Sequence, residues 1–198
     1  MRNLTLLFLM IPIFCLAQKD KKEITDEEVK NIYSSLPKAD GEFEFNEIIQ
    51  LDSSFKKELL YRNAKLFFAE MFKSAKDVIQ YDDKVEGKVI GKGNFQLTGL
   101  QASLLVVMSE TRTINFTIEI DVKDGKYKYR LYNINCDCRR SAGTEYNINL
   151  EQAYTQVKQA RNFDRKMFKQ LFVESVNQLK DIVGKIKESM KKVSSSEF

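Results

Sequence analysis

The stretch TRTINFTIEIDVKDGKYKYRLYNINC, residues 111–136, constrains the fold more than any other part of this chain. Ile114, Phe116, Ile118, Ile120 and Val122 alternate with Thr113, Asn115, Thr117, Glu119 and Asp121. A strict period of two belongs to a strand with one buried face. Asp124–Gly125 is a two-residue hairpin turn. Folding the chain there sets Val122 opposite Tyr127, Ile120 opposite Tyr129 and Ile118 opposite Leu131 on the apolar side. On the other side Asp121 meets Lys128 and Glu119 meets Arg130. Opposite charges directly across from each other support this register. The apolar side therefore packs on something, and the other is a solvated face of paired charges.

Elsewhere the chain supplies what the hairpin packs against. In EFEFNEIIQL, Phe43, Phe45, Ile49 and Leu51 share one side, with Glu44, Asn46 and Gln50 on the other. That is a strand with one buried face. SSFKKELLYRNAKLFFAEMFK then places Phe55, Leu59, Leu60, Ala64, Phe67, Phe68, Met71 and Phe72 at helical spacing, an aromatic core stripe. AKDVIQYDDKVEGKVIGKGNFQL reads as two strands joined by an acidic, glycine-closed turn. Within it, GKVIGKGNFQL looks like the phosphate-covering loop of a kinase. The third glycine is missing where Gln96 stands, and the downstream lysine strand, catalytic loop and Asp-Phe-Gly site are absent. Val89, Gly91, Gly93, Phe95 and Leu97 instead fall on one side of a strand. The glycines are expected to let an aromatic ring or a bend lie against it. Residues 98–110 read equally well as an apolar strand or as a loop on the core.

The ends have their own character. MRNLTLLFLMIPIFCLA has one basic residue, Arg2, an apolar run, and small residues at Cys15 and Ala17. This is the layout of a cleaved secretory signal over residues 1–17. It implies export to the periplasm or envelope of a diderm bacterium, with cleavage after Ala17. No later run is long enough to span a bilayer, so no integral span is expected after cleavage. Residues 18–40 read as a leader with a short helix and a linker. The helix, 26–35, is capped by Thr25 with Glu28, and Ile24 and Val29 are placed for a hydrophobic staple. Residues 41–193 read as one domain and 194–198 as a flexible tail. The final helix runs from about Asn162 to Val193. In it Phe172, Val176, Leu179, Val183, Ile186, Met190 and Val193 form a heptad seam. Such a helix outreaches a small sheet, so its far end overhangs or meets another helix.

Charge and chemistry are sparse. The 32 basic and 28 acidic residues leave +4, and there is no histidine. With the basic groups of the hairpin matched by acids, no nucleic-acid partner is expected. No cofactor is expected either. Once the leader departs, Cys136 and Cys138 in NCDCRR are the remaining cysteines. Free thiols, a strained local disulfide, and metal or redox chemistry are all open readings. NCDCRRSAGTEYNINLEQA reads as a long polar surface connection, and as the place to look for a site.

RNAKLFFAEMFKSAKDVIQYDDKVEGKVIGKGNF, followed by IEIDVKDGKYKYRLYNI, resembles a family of exported bacterial proteins. It is known as a domain of unknown function with a TATA-box-binding-protein-like (TBP-like) fold. The resemblance covers Phe43 to Ile134. It implies an α+β fold: a strand, a helix, several antiparallel strands, and a long helix packed on the same sheet face. The residue patterns give the same order. The family brings no activity and no catalytic residues, and CDC lies outside its pattern.

Two function classes follow. The first is a non-enzymatic exported binding module. It would hold an apolar small ligand between helix and sheet, lined by Phe67, Phe68, Phe72, Phe168 and Phe172, or a protein partner on the C-terminal helix, including a second copy of the chain. The second is a thiol-dependent or redox enzyme using Cys136 and Cys138, with Arg139 and Arg140 lowering a thiol pKa.

Overall fold

The computed structural model describes residues 23–72, 74–102 and 107–193. The leader expected at residues 1–17, Cys15 within it and the tail expected at 194–198 lie outside them. The elements run α1 (Asp26–Ser35), β1 (Lys38–Ala39), β2 (Glu42–Phe43), β3 (Phe45–Gln50), α2 (Lys57–Met71), α3 (Ala75–Val78), β4 (Ile79–Asp83), β5 (Lys88–Ala102), β6 (Val107–Lys123), β7 (Lys126–Arg140), β8 (Glu145–Asn149), α4 (Leu150–Gln159) and α5 (Asn162–Met190). The main sheet is antiparallel in the order β3-β7-β6-β5-β4, and β8 also pairs with β7. Strands β3 and β8 share one edge of β7, at residues 126–131 and 135–139.

The hairpin register expected around Asp124–Gly125 is the one found, from Val122↔Tyr127 to Glu119↔Arg130. Gly125 takes the left-handed φ of 68° that the turn demands. Residues 98–110 resolve as strand at both described ends: β5 continues to Ala102 and β6 begins at Val107.

One irregularity governs the far half of the sheet. Asn115 pairs with Asn135 and Thr117 with Tyr132, so two residues of β7, Asn133 and Ile134, oppose the single Phe116. This is a β-bulge, with Asn133 at φ 53°, a conformation that Asn tolerates better than most residues. It reverses the parity of β7. Before it, Tyr127, Tyr129 and Leu131 point inward; after it, Ile134, Cys136 and Cys138 do. The segment NCDCRRSAGTEYNINLEQA is therefore not a polar connection. It is the end of β7, a tight turn, β8 and the start of α4. The expectation failed because alternation across a bulge loses its phase.

The inward face is buried under helices. Gly91 and Gly93 serve the purpose the sequence suggested. A Cβ on Gly93 would stand 2.5 Å from Phe72 Cε1 and 2.9 Å from Phe116 Cε2, and one on Gly91 would run into the buried Phe68 ring, with Cδ1 at 3.0 Å. Phe67, Phe68, Phe72, Phe116 and Phe95 form a continuous chain of ring contacts at 5.3–6.4 Å. The rings expected to line an apolar cleft thus fill one another's space. Phe172 is likewise enclosed, by Tyr33, Phe43 and Tyr154.

The heptad seam of α5 is consumed within the chain. Phe172, Val176, Leu179, Ile186 and Met190 are buried, Val183 is half-buried, and only Val193 is well exposed, at 71%. The 29-residue helix spans about 43 Å, and α2 meets its far end. There Asn63 Nδ2 donates to the carbonyls of Met190 (3.3 Å) and Lys192 (2.8 Å), two of the carbonyls a helix end leaves open. The 26–35 helix docks. Thr25 Oγ1 accepts from Glu28 N, Val29 is buried, Tyr33 stacks on Tyr154 with centroids 3.6 Å apart, and Asp26 pairs with Lys169 at 2.6 Å. The linker after it is partly ordered as the β1–β2 hairpin.

Gly91→Ala is expected to lower stability by about 1–3 kcal/mol through overpacking against Phe68. In chemical denaturation the double variant Gly91→Ala/Phe68→Leu should lose less than the sum of its single variants, because both act on one contact.

Candidate functional site

The parity switch at Asn133 divides the NCDCRR chemistry between two faces. Cys136 and Cys138 go inward, and Asn135, Asp137 and Arg139 go outward.

On the inward face, Leu97, Arg112, Cys138 and Tyr146 form one cross-strand row, and Gly99, Glu110 and Arg140 form the next. Glu110 and Arg112 are 1% and 0% exposed. Buried charge must be paired and hydrogen-bonded, and here it is. Glu110 accepts from Arg112 Nε at 2.7 Å, from Arg140 Nε at 2.9 Å and from the Tyr146 hydroxyl at 2.7 Å. Arg112 Nη2 donates to the Met167 carbonyl at 2.8 Å, which ties the start of α5 over this end of the sheet. Gly99 makes room for the guanidinium, whose Cζ would lie 2.8 Å from a Cβ there. Arg112 Nη1 has no hydrogen-bond partner among the described residues. Burial alone would raise the Glu110 carboxyl; the hydrogen bonds from Arg140, Arg112 and Tyr146 outweigh it and hold it below its ordinary value.

The two thiols lie beside this network. They are unbridged, each 2% exposed, with Sγ atoms 2.7 Å apart. Both sit on a strand laddered on each side, Cys136 between Ile114 and Ile148, Cys138 between Arg112 and Tyr146. Two steps of extended strand separate Cα atoms by about 6.6 Å, the long end of what a disulfide spans. Contact with Cys138 and burial push the Cys136 thiol up, and the hydrogen bond from Cys136 draws Cys138 down. Of the arginines expected to activate a thiol, Arg139 points to the other face and pairs with Glu145 at 2.7 Å. Arg140 is held by Glu110 and by Asp164 at 3.0 Å. A hollow of about 620 Å³ opens between β8, α4 and the start of α5, lined by Arg140, Tyr146, Asp164 and Phe168. Its charged groups are already paired.

Among the described residues no helix lies across the outward face, which has two halves. Near the hairpin turn it is the lattice of paired charges expected from the sequence. Arg130 binds Glu44 at 2.8 Å and Glu119 at 3.4 Å, and Lys88 binds Glu119 and Asp121 at 3.1 Å. The half beyond the bulge differs. Three rows cross β5, β6, β7 and β8: Asn94–Asn115–Asn135–Asn149, Gln96–Thr113–Asp137–Asn147 and Thr98–Thr111–Arg139–Glu145. All twelve positions are polar. A hollow of about 840 Å³ lies over the first row and a second of about 630 Å³ over the other two, with Asp137 and Asn147 lining both. Sequence reasoning missed this field. Its signal was the polar phase of four separate strands, which becomes a site only once their register is known.

An antiparallel sheet with its helices on one face, closed by a long C-terminal helix, defines the TBP-like α+β class. Residues 45–137 match the model of a family described as a domain of unknown function (DUF4468) with TBP-like fold. The fold is shared with a crystal structure of a DUF4468 family protein from Bacteroides ovatus, at 16% identity and TM-score 0.56, over 82% of this chain and 94% of that one. It is shared also with a TBP-like protein from Parabacteroides distasonis, at 10% identity and TM-score 0.58, over 80% of this chain and 99% of that one. No curated protein matches the chain.

Glu110→Gln is expected to cost about 3–5 kcal/mol, because it leaves the fully buried Arg112 without its anion and Arg140 with Asp164 alone. The lowered carboxyls of Glu110, Glu44 and Glu47 contribute stability that is present above the ordinary glutamate value of 4.5 and is lost as pH falls through their folded values. Denaturation midpoints should therefore fall below about pH 4.5, and Glu110→Gln should flatten that fall.

Proposed function

We propose that this chain is an exported, non-enzymatic binding module of the bacterial cell envelope, and that it binds through the far half of its open sheet face. One observation carries the reading. Two adjoining hollows lie over the twelve-position polar field, the first walled also by Glu42 and Phe43 of β2 and Glu151 and Gln152 of α4, and among the described residues no helix or strand crosses it. The leader at residues 1–17 supports export. Among the described residues no helix is long and apolar enough to cross a membrane.

Three observations favour this face over the alternatives expected from the sequence. Of the aromatic side chains proposed for an apolar ligand, Phe67, Phe68 and Phe72 pack in a row and Phe172 is enclosed by Tyr33, Phe43 and Tyr154, so a ligand there would have to displace core, while Phe168 lines the hollow beside Arg140 and Asp164. The α5 seam proposed for a protein partner, or for a second copy of the chain, already packs within this one. A thiol enzyme needs a substrate at Cys136 or Cys138, and each of these residues is only 2% exposed.

Isotope-labelled protein titrated with soluble envelope fractions, one polysaccharide and one protein, tests the reading by backbone amide shifts. Perturbation is expected at Asn94, Gln96, Thr113, Asn115, Asp137 and Asn147. Perturbation confined to the helix layer, or none with either fraction, would contradict it.

A further inference from the structure

We infer that the far half of the open face is a carbohydrate-binding site, taking a neutral polyhydroxylated chain. This rests on reading that face as the binding surface and goes further by naming the ligand class.

The argument begins with what the side chains leave unused. Those of Asn94, Gln96, Thr98, Thr111 and Thr113 make no hydrogen bond within the described residues. Asp137 is held by two amides, Asn115 Nδ2 at 2.8 Å and Asn147 Nδ2 at 2.7 Å, one on each oxygen. Those contacts fix both amides and leave their carbonyl oxygens free. Asn115 also donates to Asn135 Oδ1 at 3.3 Å, which ties the neighbouring strand into the same array. The surface is thus a lattice, fixed at Asn115, Asp137 and Asn147, of groups most of which both donate and accept. A sugar hydroxyl does both as well, and a run of them matches such a lattice position by position.

The same inventory rejects other ligands. An anionic chain needs unpaired cations. Arg139 is neutralised by Glu145, and Lys92 lines the first hollow together with three carboxylates, Glu42, Asp137 and Glu151, which outnumber it. An acyl chain needs apolar walls, and none of the twelve row positions is apolar. An extended peptide is captured by backbone groups at a sheet edge, and the rows lie on the face. Three strand spacings make the field about 14 Å wide, and two residue pairs make it about 13 Å long. That is room for a short oligosaccharide lying flat, and the two hollows share Asp137 and Asn147 as their common wall.

The test uses the full chain, isotope-labelled, with defined neutral hexasaccharides: β-1,4-glucan, α-1,4-glucan, β-1,4-mannan, β-1,4-xylan and β-1,4-linked N-acetylglucosamine. An oligogalacturonate serves as the anionic control. At least one neutral member should give saturable shifts in the three rows. Asn94→Ala/Gln96→Ala, at exposed positions without partners, should keep its melting temperature and weaken that binding about tenfold. Lys128→Ala, in the charged half, should leave it unchanged. Silence of these rows toward every neutral member overturns the inference. So does a response only to the anionic control. If the rows then still respond to the envelope protein fraction, the face remains the binding surface and the ligand class alone falls. Shifts confined to the helix layer overturn both.

Discussion

The rest of the structure depends on the bulge at Asn133. A strand assigns alternate side chains to opposite faces, and a single extra residue exchanges them for everything that follows. Without it, the run after Leu131 would send Asn135, Asp137 and Arg139 into the core and Cys136 and Cys138 to the surface. With it, β7 keeps an apolar inward side from Tyr127 to Cys138, and only Arg140 at its end brings a charge to that face. The bulge also marks where the neighbour of β7 changes from β3 to β8. One sheet thereby acquires two different halves on each face.

The inward halves are held by different means. Under α2, packing is between rings and glycines: Phe68 and Phe72 lie where Gly91 and Gly93 have no side chain. Under the start of α5 it is ionic. Glu110 collects Arg112, Arg140 and Tyr146, and Arg112 reaches the α5 backbone at Met167. Such a network adds little net stability compared with an apolar core. Its geometry does fix where α5 sits relative to the far end of the sheet, and so keeps the helices off the outer face.

How much of this could be read from the sequence follows from locality. The Asp124–Gly125 hairpin carried its register in its own alternation and its opposed charges, and the structure has it residue for residue. The use of Gly91 and Gly93 was legible because an aromatic stripe stood close by in the chain. The short helix carried its cap at Thr25. What failed was non-local or out of phase. Glu110 and Arg112 occupy inward positions with charged side chains, so the hydrophobic alternation that identified β6 stopped short of its first residues. Asn133 hid β8 and the true direction of the cysteines. The amide rows join residues from Asn94 to Asn149, and no window of sequence displays them together.

The account makes the open face a consequence of the parity switch, so the direction of each side chain after Asn133 is its central claim. Alkylation kinetics with a maleimide on the native protein and on Arg139→Cys measure that direction. The account predicts that the added thiol at position 139 reacts at the rate of a free, exposed cysteine, while Cys136 and Cys138 stay unmodified until denaturant unfolds the chain. Fast modification of the native pair in the folded protein, with the thiol at position 139 protected, would show that β7 does not change face and would contradict the account.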